Sequence, residues 1–130
     1  MYNRTTRNIR IHVQPQFLEG QSRPDEAKFV WAYTITVENH GRETVTLKTR
    51  YWKITDATGK MQEVRGAGVV GETPTLKPGD SFTYTSGCPL KTPSGFMVGA
   101  YQMQNEAGEL FNIEIPAFSL DSPHDRHAIN

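Results

Sequence analysis

The clearest chemical signal in the 130-residue chain is Gly66-Ala67-Gly68-Val69-Val70-Gly71, which matches G-x-G-x-x-G letter for letter. In a dinucleotide site such glycines let a backbone turn approach a pyrophosphate, which rests on a helix N-terminus. The pattern carries that meaning only between the strand and helix of a βαβ unit. Here Gly71 is followed by Glu72-Thr73-Pro74-Thr75-Leu76-Lys77-Pro78-Gly79. Pro74 and Pro78 exclude a regular helix, and Glu72 would repel a phosphate. The glycines read instead as a positive-φ crossing between two sheets, with a weak anion nest of backbone N–H groups as the alternative.

Other reactive residue types lack the company that chemistry needs. Cys88 alternates with Phe82, Tyr84 and Ser86, a pattern that places it on an inward strand face as a small hydrophobe. A nucleophilic thiol would require a lowered pKa and a neighbouring base. His124-x-x-His127, with Asp121 and Asp125 nearby, could ligate a divalent ion, but a fixed zinc site wants four ligands. There is no C-x-x-C, no H-E-x-x-H and no G-x-S-x-G. The sequence therefore predicts no catalytic residue, no metal site and no cofactor. A candidate contact surface remains in Arg50, Trp52 and Lys53, because arginine beside an exposed aromatic resembles an interface anchor. That reading requires Trp52 to face outward, whereas strand aromatics more often face a core.

Strands must position all of these residues, since alternation with period two dominates the chain. Ile9, Ile11, Val13 and Phe17 form one side of a strand. Phe29, Trp31, Tyr33, Ile35 and Val37 form the cleanest run, closed by Asn39-His40-Gly41. In the next strand Val45 and Leu47 are odd while Trp52 and Ile54 are even, which predicts a β-bulge near Thr49–Tyr51, with a strand buried on both faces as the alternative. The turn Asp56-Ala57-Thr58-Gly59 leads to a short edge strand, Met61–Arg65. Strands at Phe82–Leu90, Phe96–Asn105 and Leu110–Phe118 follow. No segment has helical spacing. About seven antiparallel strands predict an all-β immunoglobulin-like or fibronectin type III-like sandwich, with a barrel as runner-up. Residues 1–120 form the domain, and residues 121–130, which show no apolar period, are expected to form a flexible tail.

Fourteen basic and 14 acidic residues leave no net field to attract nucleic acid or anionic lipid. No apolar run reaches the ~20 residues of a membrane span, and no apolar segment follows Arg4 and Arg7 as in a signal peptide. The single cysteine forbids an internal disulfide, and a reducing, cytoplasmic setting is the expectation.

Several uncommon short motifs occur together. Arg50-Tyr51-Trp52, Ile54-Thr55-Asp56, the run Gly66–Glu72 and Pro78-Gly79 resemble the ApaG family. Tyr84-Thr85-Ser86-Gly87, Pro93-Ser94-Gly95-Phe96-Met97-Val98-Gly99 and Ile115-Pro116-Ala117-Phe118 continue the resemblance. It implies a fibronectin type III-like fold. Family members include stand-alone bacterial proteins and domains fused to F-box proteins and to a polymerase-delta-interacting protein, which implies a partner-binding module. The family is also linked to cobalt and magnesium efflux under the name CorD, and its gene often neighbours a diadenosine-tetraphosphatase gene. The tail from Asp121 onward departs from the family pattern. The expectation is a non-enzymatic protein-interaction module, with neither its partner nor its oligomeric state named by the sequence. A small-ligand or ion-linked role, with an anion at Gly66, Gly68, Gly71 and Glu72, is the alternative.

Overall fold

Phe29, Trp31, Tyr33, Ile35 and Val37 all turn into the interior, and the residues between them stay half-buried. Their strand is β3 in a computed structural model that describes residues 2–125. The described strands are β1 (Tyr2–Thr6), β2 (Ile9–Phe17), β3 (Phe29–Asn39), β4 (Val45–Asp56), β5 (Met61–Ala67), β6 (Thr75–Leu76), β7 (Ser81–Leu90), β8 (Gly95–Asn105) and β9 (Leu110–Leu120). Two short 3-10 turns, Glu19–Gln21 and Pro24–Glu26, lie between β2 and β3.

All strand pairs are antiparallel. One sheet runs β1-β2-β3-β7 and the other β5-β4-β8-β9, with β6 also paired to β4. Setting β1 and β6 aside leaves β2-β3-β7 facing β5-β4-β8-β9, the expected immunoglobulin-like and fibronectin-like sandwich. The core lies between the sheets, where Ile11, Val13, Leu47, Met103 and Ile113 are fully enclosed. The described residues include no helix long and apolar enough to cross a membrane.

The phase change in β4 is a bulge, as anticipated, but it sits a residue or two earlier. The register with β8 shifts between Leu47 and Thr49, so Lys48 is the extra residue. Val45 and Leu47 before it, and Trp52 and Ile54 after it, thereby reach the same core.

Three expectations need correction. First, β1 exists without an apolar alternation to announce it. Arg7 and Asn8 both take positive φ, 50° and 65°, and form a two-residue hairpin to β2. β1 then leans on β9 through side chains. Tyr2 Oη lies 2.9 Å from Ser119 Oγ, Arg4 pairs with Glu114 at 2.7 Å, and the Arg7 guanidinium binds Glu109 and covers the Phe111 ring.

Second, the glycine run is not the crossing between sheets. β5 and β6 both pair with β4, so the loop joining them stays along one edge. The chain changes sheet at Lys77–Asp80, where Gly79 N–H donates to Asn39 O at 2.8 Å.

Third, the start of the tail is fastened rather than free. Leu120 is buried at the end of β9. Trp31 Nε1 donates to Asp121 O at 2.8 Å, and Ser122 Oγ donates to Pro93 O at 2.6 Å. His124 rests against Phe17 and Phe29 and bonds Glu19. These ties use a carbonyl, a hydroxyl and an imidazole, which a search for apolar periodicity does not see. His127 lies outside the described residues. Among the described residues no group of His, Cys, Asp and Glu is placed to hold a metal ion.

Candidate functional site on the open side of the sandwich

The sequence-derived candidates Arg50, Trp52 and Lys53 do not form one surface. Strand alternation puts Arg50 and Trp52 on the inner face of β4 and Lys53 on the outer face. Trp52 is only 3% exposed and stacks edge-on against Tyr33 and Phe118. It is a core residue, and the bulge that left its direction open is what turns it inward. Trp52 therefore leaves the contact surface.

Arg50 is half-buried and braces the glycine run. Its Nη1 donates to Ala67 O at 3.1 Å and to Gly68 O at 3.0 Å. The guanidinium lies so close over Gly66 that a Cβ there would sit 2.8 Å from both terminal nitrogens. A side chain at position 66 would push the Arg50 guanidinium off this seat.

Beyond Gly66 the loop folds into a tight hairpin. Val69 and Glu72 exchange N–H···O bonds of 2.8 Å in both directions, around Val70 at φ 42° and Gly71 at φ 81°. Gly68 N–H donates to Lys48 O at 2.8 Å, which ties the loop to the bulge. The N–H groups of Gly68, Val69 and Glu72 are thus already engaged, so the nest available to an anion is small. Val70 is a β-branched residue in the left-handed region and is 54% exposed. Asparagine suits that position of a two-residue hairpin far better. Val70→Asn is expected to raise unfolding free energy by about 1 kcal/mol, read by urea denaturation.

Between β5 and β7 the two sheets leave a cleft of about 230 Å³, lined by Tyr33, Arg50, Gln62, Ser86, Cys88 and Met97 among others. Its polar groups are mostly satisfied. Burial raises the Tyr33 hydroxyl's pKa, and the neighbouring Tyr84 and Tyr101 hydroxyls, bonded to each other, are pushed up more strongly. Cys88 is 2% exposed, and burial pushes its thiol up to about 11. At neutral pH it is protonated and enclosed, the condition of a packing residue.

Next to this cleft a wider groove of about 410 Å³ opens to solvent. Ile54, Met61, Pro89 and Leu90 supply its apolar lining, and Met61 is 57% exposed. Lys28, Lys60 and Lys91 rim it. Two carboxylates also border it. Glu26 faces Arg23, and Asp56 Oδ1 accepts from Thr58 N–H, Thr58 Oγ1–H and Lys60 N–H. No ion pair of the described residues includes any of the three lysines. Sequence reading missed this groove because its residues come from the segment just before β3, the β4–β5 hairpin and the end of β7. No motif links them.

Comparison with known proteins settles the relationship. The ApaG domain family model matches residues 19–105. The chain belongs to the ApaG family. The protein ApaG of Rhodospirillum centenum is 60% identical over the whole of both chains, and that of Brucella anthropi is 59% identical over the same extent. A crystal structure of a Bordetella pertussis protein described as ApaA superposes with a TM-score of 0.87 at 43% identity, covering 90% of this chain and 95% of that one. The ApaG-domain match spans β3 to β8, and so includes the bulge, the Arg50 brace and the glycine hairpin.

Proposed function

We propose that this ApaG domain is a non-catalytic protein-interaction module of the cytoplasm, and that its partner docks in the groove on the open side of the sandwich. The observation that carries this reading is the apolar floor of Ile54, Met61, Pro89 and Leu90 beside three lysines that form no ion pair among the described residues. Exposed apolar surface rimmed by polar groups marks interaction sites, and charge complementarity sets partner choice and encounter rate. The partner is accordingly a segment with apolar side chains flanked by Asp or Glu. The protonated, enclosed Cys88 and the self-satisfied tyrosine hydroxyls support a binding role rather than a chemical one.

Affinity capture from native lysate, read by mass spectrometry, tests the reading. The wild-type domain is expected to retain a partner rich in acidic residues. Reversing all three charges (Lys28→Glu, Lys60→Glu, Lys91→Glu) should abolish that capture and remove its salt dependence, while the fold persists because all three side chains are exposed. Equal capture by the folded triple variant would move the interface elsewhere.

A further inference from the structure

Each sheet of an open sandwich ends in strands whose outward N–H and C=O groups can pair with another chain, and proteins guard such edges. β9 is guarded by β1: Thr6 Oγ1 accepts from Glu114 N–H, Tyr2 Oη accepts from Ser119 N–H, and Pro116 lies within the strand. β6 is only two residues long, and β7 carries Pro89 near its end but runs proline-free and in unbroken register with β3 from Ser81 to Cys88. β5 is a second open edge. It runs from Met61 to Ala67 in unbroken register with β4, with no proline and no bulge.

The direction of its free groups follows from the hairpin. Asp56 N–H donates to Lys60 O at 2.9 Å, so Asp56 and Lys60 form a hydrogen-bonded pair. Antiparallel ladders alternate. Gln62, Val64 and Gly66 therefore turn their backbone groups toward β4, and Met61, Glu63, Arg65 and Ala67 turn theirs outward. Arg50 already holds Ala67 O, which leaves Met61–Arg65 as the open stretch.

The geometry points to a second copy of this chain as the occupant of that edge, paired antiparallel about a two-fold axis through Val64. This inference goes beyond the groove reading and does not depend on it. About Val64, Glu63 of each copy lies opposite Arg65 of the other, and both are residues whose backbone groups face outward. The two can exchange N–H···O bonds while their side chains form an opposite-charge cross-strand pair, a favourable combination. Moving the axis one residue either way puts Glu63 opposite Glu63, or Arg65 opposite Arg65. Both alternatives set like charges face to face, so the charges favour the register about Val64 over either neighbour. A two-fold arrangement also closes, whereas parallel stacking of copies would not. Both side chains are held on the outer face beforehand: Tyr51 Oη donates to Glu63 Oε2 at 2.6 Å, and the Arg65 guanidinium lies 4.5 Å over the Tyr51 ring. Val64 would meet Val64 on the opposite face.

Sedimentation velocity on the full chain tests this directly. The wild type is expected to dimerise with rising concentration. Glu63→Arg alone and Arg65→Glu alone should each raise the dimer Kd at least tenfold, about 1.4 kcal/mol. The double swap Glu63→Arg with Arg65→Glu restores complementarity in the same register and should recover the wild-type Kd. Both positions are exposed, so the variants keep the fold, which circular dichroism melting verifies. A wild type that stays monomeric up to about 1 mM, a limit at which even feeble complexes form, overturns the inference. So does dimerisation unaffected by the single changes, or a double swap that recovers nothing. Partner capture that survives the lysine reversals, with an intact dimer, would strike only the groove.

Discussion

Replacing Trp52 with alanine is expected to lower unfolding free energy by about 3–5 kcal/mol, the range for deleting a buried aromatic from a core. The indole is enclosed on every side that β4 offers. Tyr33 and Phe118 stand edge-on to it with centroids 5.4 and 5.9 Å away. Its third neighbour is Gly99 of β8, where a Cβ would lie 2.7 Å from the Trp52 Cε3 atom. The ring lies on bare backbone there, so position 99 has no side chain to move into the space the ring would vacate. Small domains have about 5–15 kcal/mol of stability in total, so the variant should lose a large share of it. Guanidinium denaturation followed by far-UV circular dichroism measures the loss. A deficit under 1 kcal/mol would mean that Trp52 is not packed as described.

The second large effect concerns Gly68. Its φ is +62°, and a Cβ there would fall 2.2 Å from Glu72 O and 2.9 Å from the carbonyl carbon. Both obstructions are backbone, held by the Val69–Glu72 hydrogen bonds, so neither can swing aside. Gly68→Val therefore combines left-handed strain of about 1–2 kcal/mol with a clash that opens the hairpin. A total loss of about 3 kcal/mol or more is expected. Gly71→Ala is the control: φ is +81°, but nothing lies within 4 Å of the added atom. It should lose only about 1 kcal/mol. Thermal denaturation of the pair separates steric from conformational cost. Equal losses would show that the hairpin relaxes around Gly68.

The buried strands were legible because half-buried sheets impose period two on side chains. β2, β3 and β7 have their inward residues where alternation puts them, from Ile9 to Cys88. β1 was hidden because its exposed centre, Asn3-Arg4-Thr5, packs only at its ends. The bulge could be inferred from the reversal of parity between Leu47 and Trp52, but its position could not. A parity change says that one residue is extra, and backbone pairing decides that it is Lys48. Arg50 and Gly66 were both singled out, yet their relation is a contact across strands that neither motif contains. The docked residues Asp121–His124 escaped notice for a similar reason, since polar anchors leave no periodic trace. The lysine-rimmed groove is least legible of all, being assembled from segments more than sixty positions apart in the numbering, from Lys28 to Lys91.

The lean of β1 on β9 also bears on how the chain is made. Tyr2 and Ser119 are 117 residues apart, so β1 is synthesised long before the strand it leans on. Trp31 likewise receives its hydrogen-bond acceptor, Asp121 O, after a separation of 90 residues. Long-range closures of this kind slow folding and leave unfinished sheets exposed. A nascent chain stalled before β9 lacks Ile113, Ile115 and Phe118 from its core and bares the edge of β8. Such a chain cannot close its sandwich on the ribosome. It should be a client of nascent-chain chaperones, and truncated translation products should go to proteolysis rather than persist as folded fragments.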